Sequence, residues 1–482
     1  MKKIRIIILV TLCTLVFNAC ESDLNVLPKD KISKDDFLSN PKYASEIVNS
    51  AYNQMLNFEM YSFAWIGLTN ITSDDADKGS SDGDAGTDKD KLDKLAFDPT
   101  LRSFNDIWKQ RFAGIYRCNE GIYYLGQVNL DPALKARYIG ELKFLRAMFY
   151  FDLVRCFGGV PVIADKIDFK NVDSVNKVVY TRKTQAETYT QIETDLKDAI
   201  TVLPPKYGNA DVGRATKGAA QGLLSKVYLY QKKWNDAFVA SGNVIDSKQY
   251  NLLANYADVW REVGENGTES LFEIQATLGK GVNGYTDVQG GRGTPDQGWG
   301  FNTPTTNLVN AYEPGDKRLG ATVMFTGQVL WDGFQTPTSG WTNPRYNYKA
   351  YQSRTAESWD DNKGETAKNV RLLKYSDVLL IRAEAAFQMG NTTEALNQVN
   401  KIRIRAGLDT LSSVNLDQIY KERRLEMAME HDRWFDIVRT GQASTAMTAV
   451  GQVFIIGKHE LFPIPEEQIT LSKGLLTQNP NY

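Results

Sequence analysis

The chain has 482 residues, 42% of them apolar, enough to bury a substantial core in one large domain or in two to three ordinary ones. Its 56 Lys and Arg against 58 Asp and Glu give no basic excess, which argues against nucleic acid and anionic membrane surfaces as partners. With two histidines in the whole chain, any histidine-dependent site has to use His431 or His459.

Lys2, Lys3 and Arg5 precede an apolar run from Ile6 to Phe17, long enough for an export signal and too short to span a bilayer. Residues 1–19 therefore read as a signal peptide. Ala19 supplies the small residue before the cut, and Cys20 becomes the first mature residue. The arrangement resembles a lipobox, with Phe17 where leucine is usual, and makes Cys20 the predicted lipidation site. Removing the leader takes away three cations and no acids, so the mature chain carries 53 cations and 58 acids, a net charge near −5. Residues 20–40, rich in Lys, Asp, Ser and Asn, read as a polar strap between the anchor and a body that holds no second long apolar run.

The body begins as helices. Leu134, Tyr138, Leu142, Leu145, Phe149, Leu153 and Cys156 recur in steps of three and four, predicting a helix from Pro132 to Gly158. Phe144, Met148 and Phe151 widen its apolar face, which places it between other helices. Cys118 and Cys156 both fall in helical stretches and are expected as buried thiols. "GNADVGRAT" is similar to a phosphate loop, but Arg214 and Ala215 replace the Lys and hydroxyl that such a loop needs, so it reads as the start of the next helix. At an offset of 158 residues, "KVYLYQKKWNDAFVASGNVI" and "EAAFQMGNTTEALNQVNKIR" both read as helix, turn, helix. Leu229 matches Phe387, Ala237 matches Ala395, and the small residues Ser225 and Ala383 match, a pattern similar to tetratricopeptide helix pairs. Two copies separated by a long insertion predict a broken helical solenoid.

Two segments differ in composition. Residues 281–360 hold 12 of the 37 Gly and five of the 15 Pro, together with Trp299, Trp331, Trp341 and Trp359 and five Tyr. Aromatic-rich loops on a rigid scaffold are common binding surfaces. Residues 73–98 contain nine aspartates and read as a loop. They lack the spaced ligands and closing Glu of an EF-hand loop, and interleaved lysines oppose a cation site; no metal or cofactor is expected.

No G-x-S-x-G elbow exists in the chain. The stretch "YKERRLEMAMEHDRWFDIVRTG" reads as one charged helix, with Glu430, Arg433, Asp436 and Arg439 alternating in sign at i,i+3. Arg423, Arg424 and Glu426 interrupt its apolar stripe and are expected to be paired. His431 is expected as a partner in that ion-pair network, not as a catalytic base.

"ELKFLRAMFYFDLVRCFGGVP" (141–161), "LLKYSDVLLIRAEAAFQMG" (372–390), "ALNQVNKIRIRAGL" (395–408), "ERRLEMAMEHDRWFDIVRTG" (422–441) and "LLTQNPNY" (475–482) together resemble the SusD/RagB family of Bacteroidetes outer-membrane lipoproteins. The resemblance implies a mainly α, tetratricopeptide-like scaffold of four helix pairs with long irregular loops carrying the ligand face. Residues 41–482 then form a single SusD-like domain, with an N-terminal part of about 41–250, a loop-rich insertion of about 281–360 and a C-terminal helical part of about 369–482. It also implies a non-catalytic, glycan-binding protein on the outer membrane that delivers oligosaccharides or polysaccharide to a SusC-like TonB-dependent β-barrel transporter. "CESD" resembles the acidic signal that sends such lipoproteins to the cell exterior. The quoted motifs are scaffold motifs, so binding residues follow from chemistry. A sugar ring packs its C–H face on an aromatic ring while its hydroxyls bond to carboxylates and amides. Trp299, Trp331 and Trp341 are the leading candidates, then Tyr346, with Trp65 and the turn from Asp74 and Asp75 to Asp77 contributing from the N-terminal side; Trp108, Trp234, Trp260 and Trp434 are expected in the core. The alternatives are the same architecture binding peptides, and a glycoside hydrolase using an unmarked carboxylate pair.

Overall fold

The computed structural model describes residue 40 and residues 42–165, 172–360 and 365–482. The signal peptide, Cys20 and the polar strap up to Ser39 lie outside the described residues.

Among the described residues, ten helices of nine or more residues build the scaffold: α1 (Lys42–Gln54), α2 (Arg102–Gln127), α3 (Pro132–Phe157), α4 (Val172–Tyr180), α5 (Gln185–Val202), α6 (Lys217–Tyr230), α7 (Trp234–Asp246), α8 (Tyr375–Gln388), α9 (Thr392–Ala406) and α10 (Leu416–Met427). They pack largely in chain order, α2 on α3, α3 on α5, and then α5 through α9 each on the next, a mainly α solenoid. Helix α3 has the predicted bounds. Asp131 accepts the Leu134 N–H at 2.9 Å, Pro132 occupies the first turn, and Gly158 ends it at φ 73°. It is buried on nearly every side: Phe144 meets Phe272 edge-on with ring centroids at 4.9 Å, and Phe149 lies so close to Gly114 of α2 that a Cβ there would sit 2.5 Å from its ring.

The repeat at offset 158 is real in three dimensions. Helices α6–α7 and α8–α9 turn through residues at equivalent positions, Lys232 at φ 57° and Gly390 at φ 83°. Equivalent bonds close the turns, Lys233 N–H to Tyr228 C=O at 3.0 Å and Asn391 N–H to Ala386 C=O at 2.8 Å. Ser225, Ala237, Ala383 and Ala395 are all completely buried, which is what their small volume permits. As read from sequence, residues 208–216 lead into α6, which Thr216 caps by accepting the Ala219 N–H at 3.0 Å.

Eight short strands among the described residues stitch the loops to this scaffold. Strand β1 (Ala76–Gly79) pairs antiparallel with β3 (Phe301–Pro304), aligning Asp77 with Thr303 and Gly79 with Phe301. The aspartate-rich segment is therefore not a loop throughout: it contributes β1 and a short helix, Asp88–Asp93, and its lysines neutralise its acids, Lys78 with Asp90 at 3.1 Å and Lys89 with Asp88 at 2.9 Å. Strand β2 (Ser270–Ile274) pairs with β8 (Val370–Lys374), so both ends of the insertion leave the scaffold at one place. The lobe is thus 275–369, wider than composition indicates. Within it, β4 (Val323–Phe325) pairs with β5 (Arg345–Asn347) and β6 (Trp359–Asp360) with β7 (Glu365–Thr366).

The stretch read as one charged helix is two. Helix α10 stops at Met427, Met429 and His431 take left-handed φ of 66° and 73°, and α11 (Arg433–Arg439) begins after the break. Of the expected ladder, Asp436–Arg439 survives as an i,i+3 pair at 2.7 Å. Glu430 turns away to Lys349 at 2.6 Å and Lys374 at 2.7 Å. Cys118 and Cys156 are free and buried, and Trp108, Trp260 and Trp434 are core residues, with Trp234 half-buried.

Candidate functional site

The N-terminal candidates are built into the interior. Asp74 and Asp75 are each 1% exposed and face arginines from the C-terminal motif. Arg433 bonds Asp74 at 2.7 and 2.8 Å, and Arg424 bonds Asp75 at 2.7 Å and Asp74 at 3.0 Å. Burial works to raise the Asp74 carboxyl, but the two guanidinium groups outweigh it and hold it below its ordinary value. These carboxylates are consumed by the fold and leave no edge for a sugar hydroxyl, which corrects the expectation for both. Asp77, on β1, is the exposed acid of that turn. Trp65, 1% exposed, is also corrected: it is sandwiched among Tyr61, Phe435 and the Arg111 guanidinium, 4.6 Å from its ring.

The insertion tryptophans divide differently. Trp299 is 44% exposed, with its ring beside Phe58 at 5.5 Å and Phe63 at 5.8 Å. Its backbone is pinned on both sides, the N–H donating to Asp287 C=O at 2.7 Å and the C=O accepting from Ser80 Oγ at 2.7 Å. The same Ser80 hydroxyl that holds the Trp299 carbonyl meets Arg292 at 3.3 Å and Asp84 at 2.6 Å, and these two pair at 2.9 Å. Trp341 is half-buried. Gly291 runs beneath its ring, where a Cβ would come within 2.6 Å, and its Nε1–H donates to the Pro295 carbonyl at 2.8 Å. Tyr346 supports it edge-on at 5.1 Å but is itself wholly buried, its hydroxyl accepting the Asn343 N–H at 3.1 Å. Tyr346 is the floor of this platform and not a ligand contact, a correction that follows from its place on β5 against the hydrophobic cluster of Met324 and Leu330.

Trp331, 40% exposed, stands over a separate open cleft of about 650 Å³ lined by Arg261, Glu262, Val263, Ala356, Glu357 and Ser358. The Arg261 guanidinium lies 4.6 Å from its ring centroid. Phe58 and Phe63, Arg292, and the Glu262–Glu357 pair are the site residues that sequence reading missed. Phe58 and Phe63 had a signal in the run "NFEMYSFAW", but spacing alone could not tell which of its aromatics face out. The carboxylates had none, since the two residues lie 95 positions apart and come together only in the folded chain.

Both histidines are interior. Burial, reinforced by Lys226, Arg155 and Arg111, lowers His431 to about 3, so it is neutral and touches Thr69 Oγ1 at 3.4 Å instead of joining the ion pairs. Burial also lowers His459 to about 4. A large apolar groove beside Trp108, Phe112 and Tyr116 draws its walls from the scaffold and the C-terminal segment and carries none of the insertion's residues. Among the described residues no group of three His, Cys, Asp or Glu is placed to hold a metal ion.

A helical-repeat scaffold that spends its charged motif residues internally and displays rigid tryptophans on one loop lobe is the architecture of a binding protein. Residues 268–482 match the SusD family model, and residues 30–229 match a model described as starch-binding, associating with outer membrane. The chain belongs to the SusD/RagB family. SusD-like protein P2 of Formosa agariphila is 26% identical over 526 residues, spanning 100% of both chains. A solved laminarin binding SusD-like protein is 28% identical with a TM-score of 0.80, covering 92% of this chain and 100% of its own. Surface glycan-binding protein A from Bacteroides thetaiotaomicron, solved in complex with laminarihexaose, is 24% identical with a TM-score of 0.77 over 92% of this chain and 100% of its own, a likeness of fold.

Proposed function

We infer that this chain is a non-catalytic glycan-capture protein. Tethered to the outer membrane through an acylated Cys20 and facing the cell exterior, it holds oligosaccharides or polysaccharide on its loop lobe and delivers them to a SusC-like TonB-dependent β-barrel transporter. The observation that carries this reading is Trp299: an indole 44% exposed, packed on the adjoining rings of Phe58 and Phe63, its backbone carbonyl held by Ser80, whose hydroxyl also contacts the Arg292–Asp84 pair. A pyranose ring packs on such a face while its hydroxyls reach the charged groups, and a pre-set platform spares the ordering cost of binding. The starch-binding description of the family model and the 28% identical laminarin-binding relative support a sugar over other ligands. The burial of both histidines and the pairing of Asp74 and Asp75 with arginines support capture without cleavage.

Electrophoresis of the purified full chain through gels containing neutral α- and β-glucans and charged polysaccharides tests it. Retardation by at least one, with no reducing ends released on prolonged incubation, is expected. Unchanged mobility in every gel, or release of reducing sugar, overturns the reading. Co-purification of a large β-barrel from solubilised outer membranes and the mass of an acylated Cys20 peptide test the partner and the tether.

A further inference from the structure

The Trp331 cleft has a fixed charge pattern, and a selective role for it rests on the glycan-capture reading. Glu262 and Glu357 stand side by side on its wall. Glu262 accepts the Ser358 N–H and Oγ–H, both at 2.7 Å; Glu357 accepts the Glu262 N–H at 2.7 Å and the Ser353 N–H at 2.9 Å. These bonds hold both carboxylates in place and leave lone pairs on each oxygen for further donors. Two cations belong to this wall: Arg261 lines the cleft itself, and the buried Lys368 interacts electrostatically with both Glu357 and Glu262, while each also has a further partner. Arg261 pairs with Asp258 at 2.9 Å while lying over Trp331. Arg371 pairs with Glu265 at 3.3 Å, and Lys368 is buried behind the wall, donating to the Trp260 carbonyl. Arg354 is turned onto the Trp359 ring at 4.5 Å.

We propose that this cleft selects uncharged sugars, with Glu262 and Glu357 as the specificity-determining pair that rejects sulfated and uronate-bearing glycans. A neutral ring stacked on Trp331 offers only hydroxyls, each able to donate to the carboxylate wall. A sulfate or uronate in the same place sets a third negative charge beside two hydrogen-bonded carboxylates, with the Arg261 guanidinium already stacked on Trp331 and paired with Asp258, a like-charge contact that disfavours the charged ligand. The open side of the cleft does not remove the effect, because at physiological salt charges closer than about 8 Å still feel one another.

Titration calorimetry of the full chain with an uncharged β-glucan and the carboxymethylated form of the same glucan tests the proposal. Binding of the neutral glucan should be at least about 10-fold tighter. Raising the salt to about 1 M, where the screening length falls to about 3 Å, should narrow the gap. Glu262→Gln/Glu357→Gln removes the charges while keeping one acceptor oxygen on each side chain, and should narrow it at low salt; the salt arm gives the same reading on the unaltered protein if that variant folds poorly. Equal or tighter binding of the carboxymethylated glucan overturns the charge selection while leaving glycan capture intact. Binding of neither form, together with unchanged mobility in every polysaccharide gel, overturns the capture reading itself.

Discussion

Arg433 grips Asp74 with two nitrogens, Nε at 2.7 Å and Nη2 at 2.8 Å, across 359 positions of sequence. The bridge ties the start of the aspartate-rich segment to the first turn of α11, and Arg424 from α10 reinforces it. Removing one partner of a buried pair strands the other, so Asp74→Ala should cost about 3–5 kcal/mol. Thermal unfolding measures it. A loss of glycan affinity with unchanged stability would instead return Asp74 to the binding face.

The exposed and half-buried tryptophans should separate by experiment. Trp299→Ala and Trp331→Ala should each weaken glycan binding by about 10-fold or more, the effect of truncating an aromatic anchor, with little change in melting temperature. Trp341→Ala should lower both, because its indole also packs on Gly291 and bonds Pro295. Calorimetry and thermal unfolding on the three variants give the comparison. Peptide binding that survives all three losses would favour the peptide alternative.

Gly291→Ala tests whether the Trp341 platform is held from beneath. A Cβ placed 2.6 Å from the indole forces the ring or the 290–295 turn to move. Overpacking of this kind costs about 1–3 kcal/mol. The displaced ring should also show in the near-ultraviolet circular dichroism.

Acid should loosen the fold before it reaches the ordinary carboxylate range. His431 is lowered to about 3 when folded, by burial and by the cations around it, and titrates near 6.5 when unfolded. Above 6.5 it is neutral in both states; between 6.5 and 3 only the unfolded chain takes the proton, so stability falls as pH falls through that window. By pH 4.5 this amounts to about 2–3 kcal/mol, of which His431→Asn, a residue that tolerates the left-handed backbone, should remove the greater part. Below 4.5 a second loss follows from Glu426. Burial alone would raise it, but Arg405, Lys374 and Arg318 hold it at about 2, so its stabilising charge disappears as pH falls toward 2. Denaturant midpoints from pH 7 to 3 measure both phases.

Cys118 and Cys156 should be inert in the native protein. Burial pushes the Cys118 thiol up to about 12 and the Cys156 thiol higher, which removes the reactive thiolate at neutral pH. Alkylation followed by peptide mapping should label neither until denaturant is added.

The helical scaffold was legible because its information is local. The bounds of α3, the repeat at offset 158 and the small residues at Ser225 and Ala383 follow from periodicity and volume, which each helix must satisfy wherever it packs. The aromatic wealth of the insertion was legible for the same reason, as composition. What spacing could not tell was which aromatics would face out. Trp299 and Trp331 were left at the surface, while Tyr346 was drawn inside by the pairing of β5 with β4 and Trp65 by Phe435 and Arg111, which arrive from distant parts of the chain. Charge was the hardest to place. Asp74 and Asp75 sit in a run that reads as a solvated loop and Glu262 in unremarkable sequence, yet the former are buried under arginines and the latter meets Glu357 on a cleft wall. A carboxylate's role depends on which partner arrives within about 4 Å, and that is settled by long-range contacts that no local pattern encodes. Local pattern thus sufficed for the helical repeat, the family resemblance and the loops that carry the aromatics; only the folded chain settles which rings and which charges a ligand can reach.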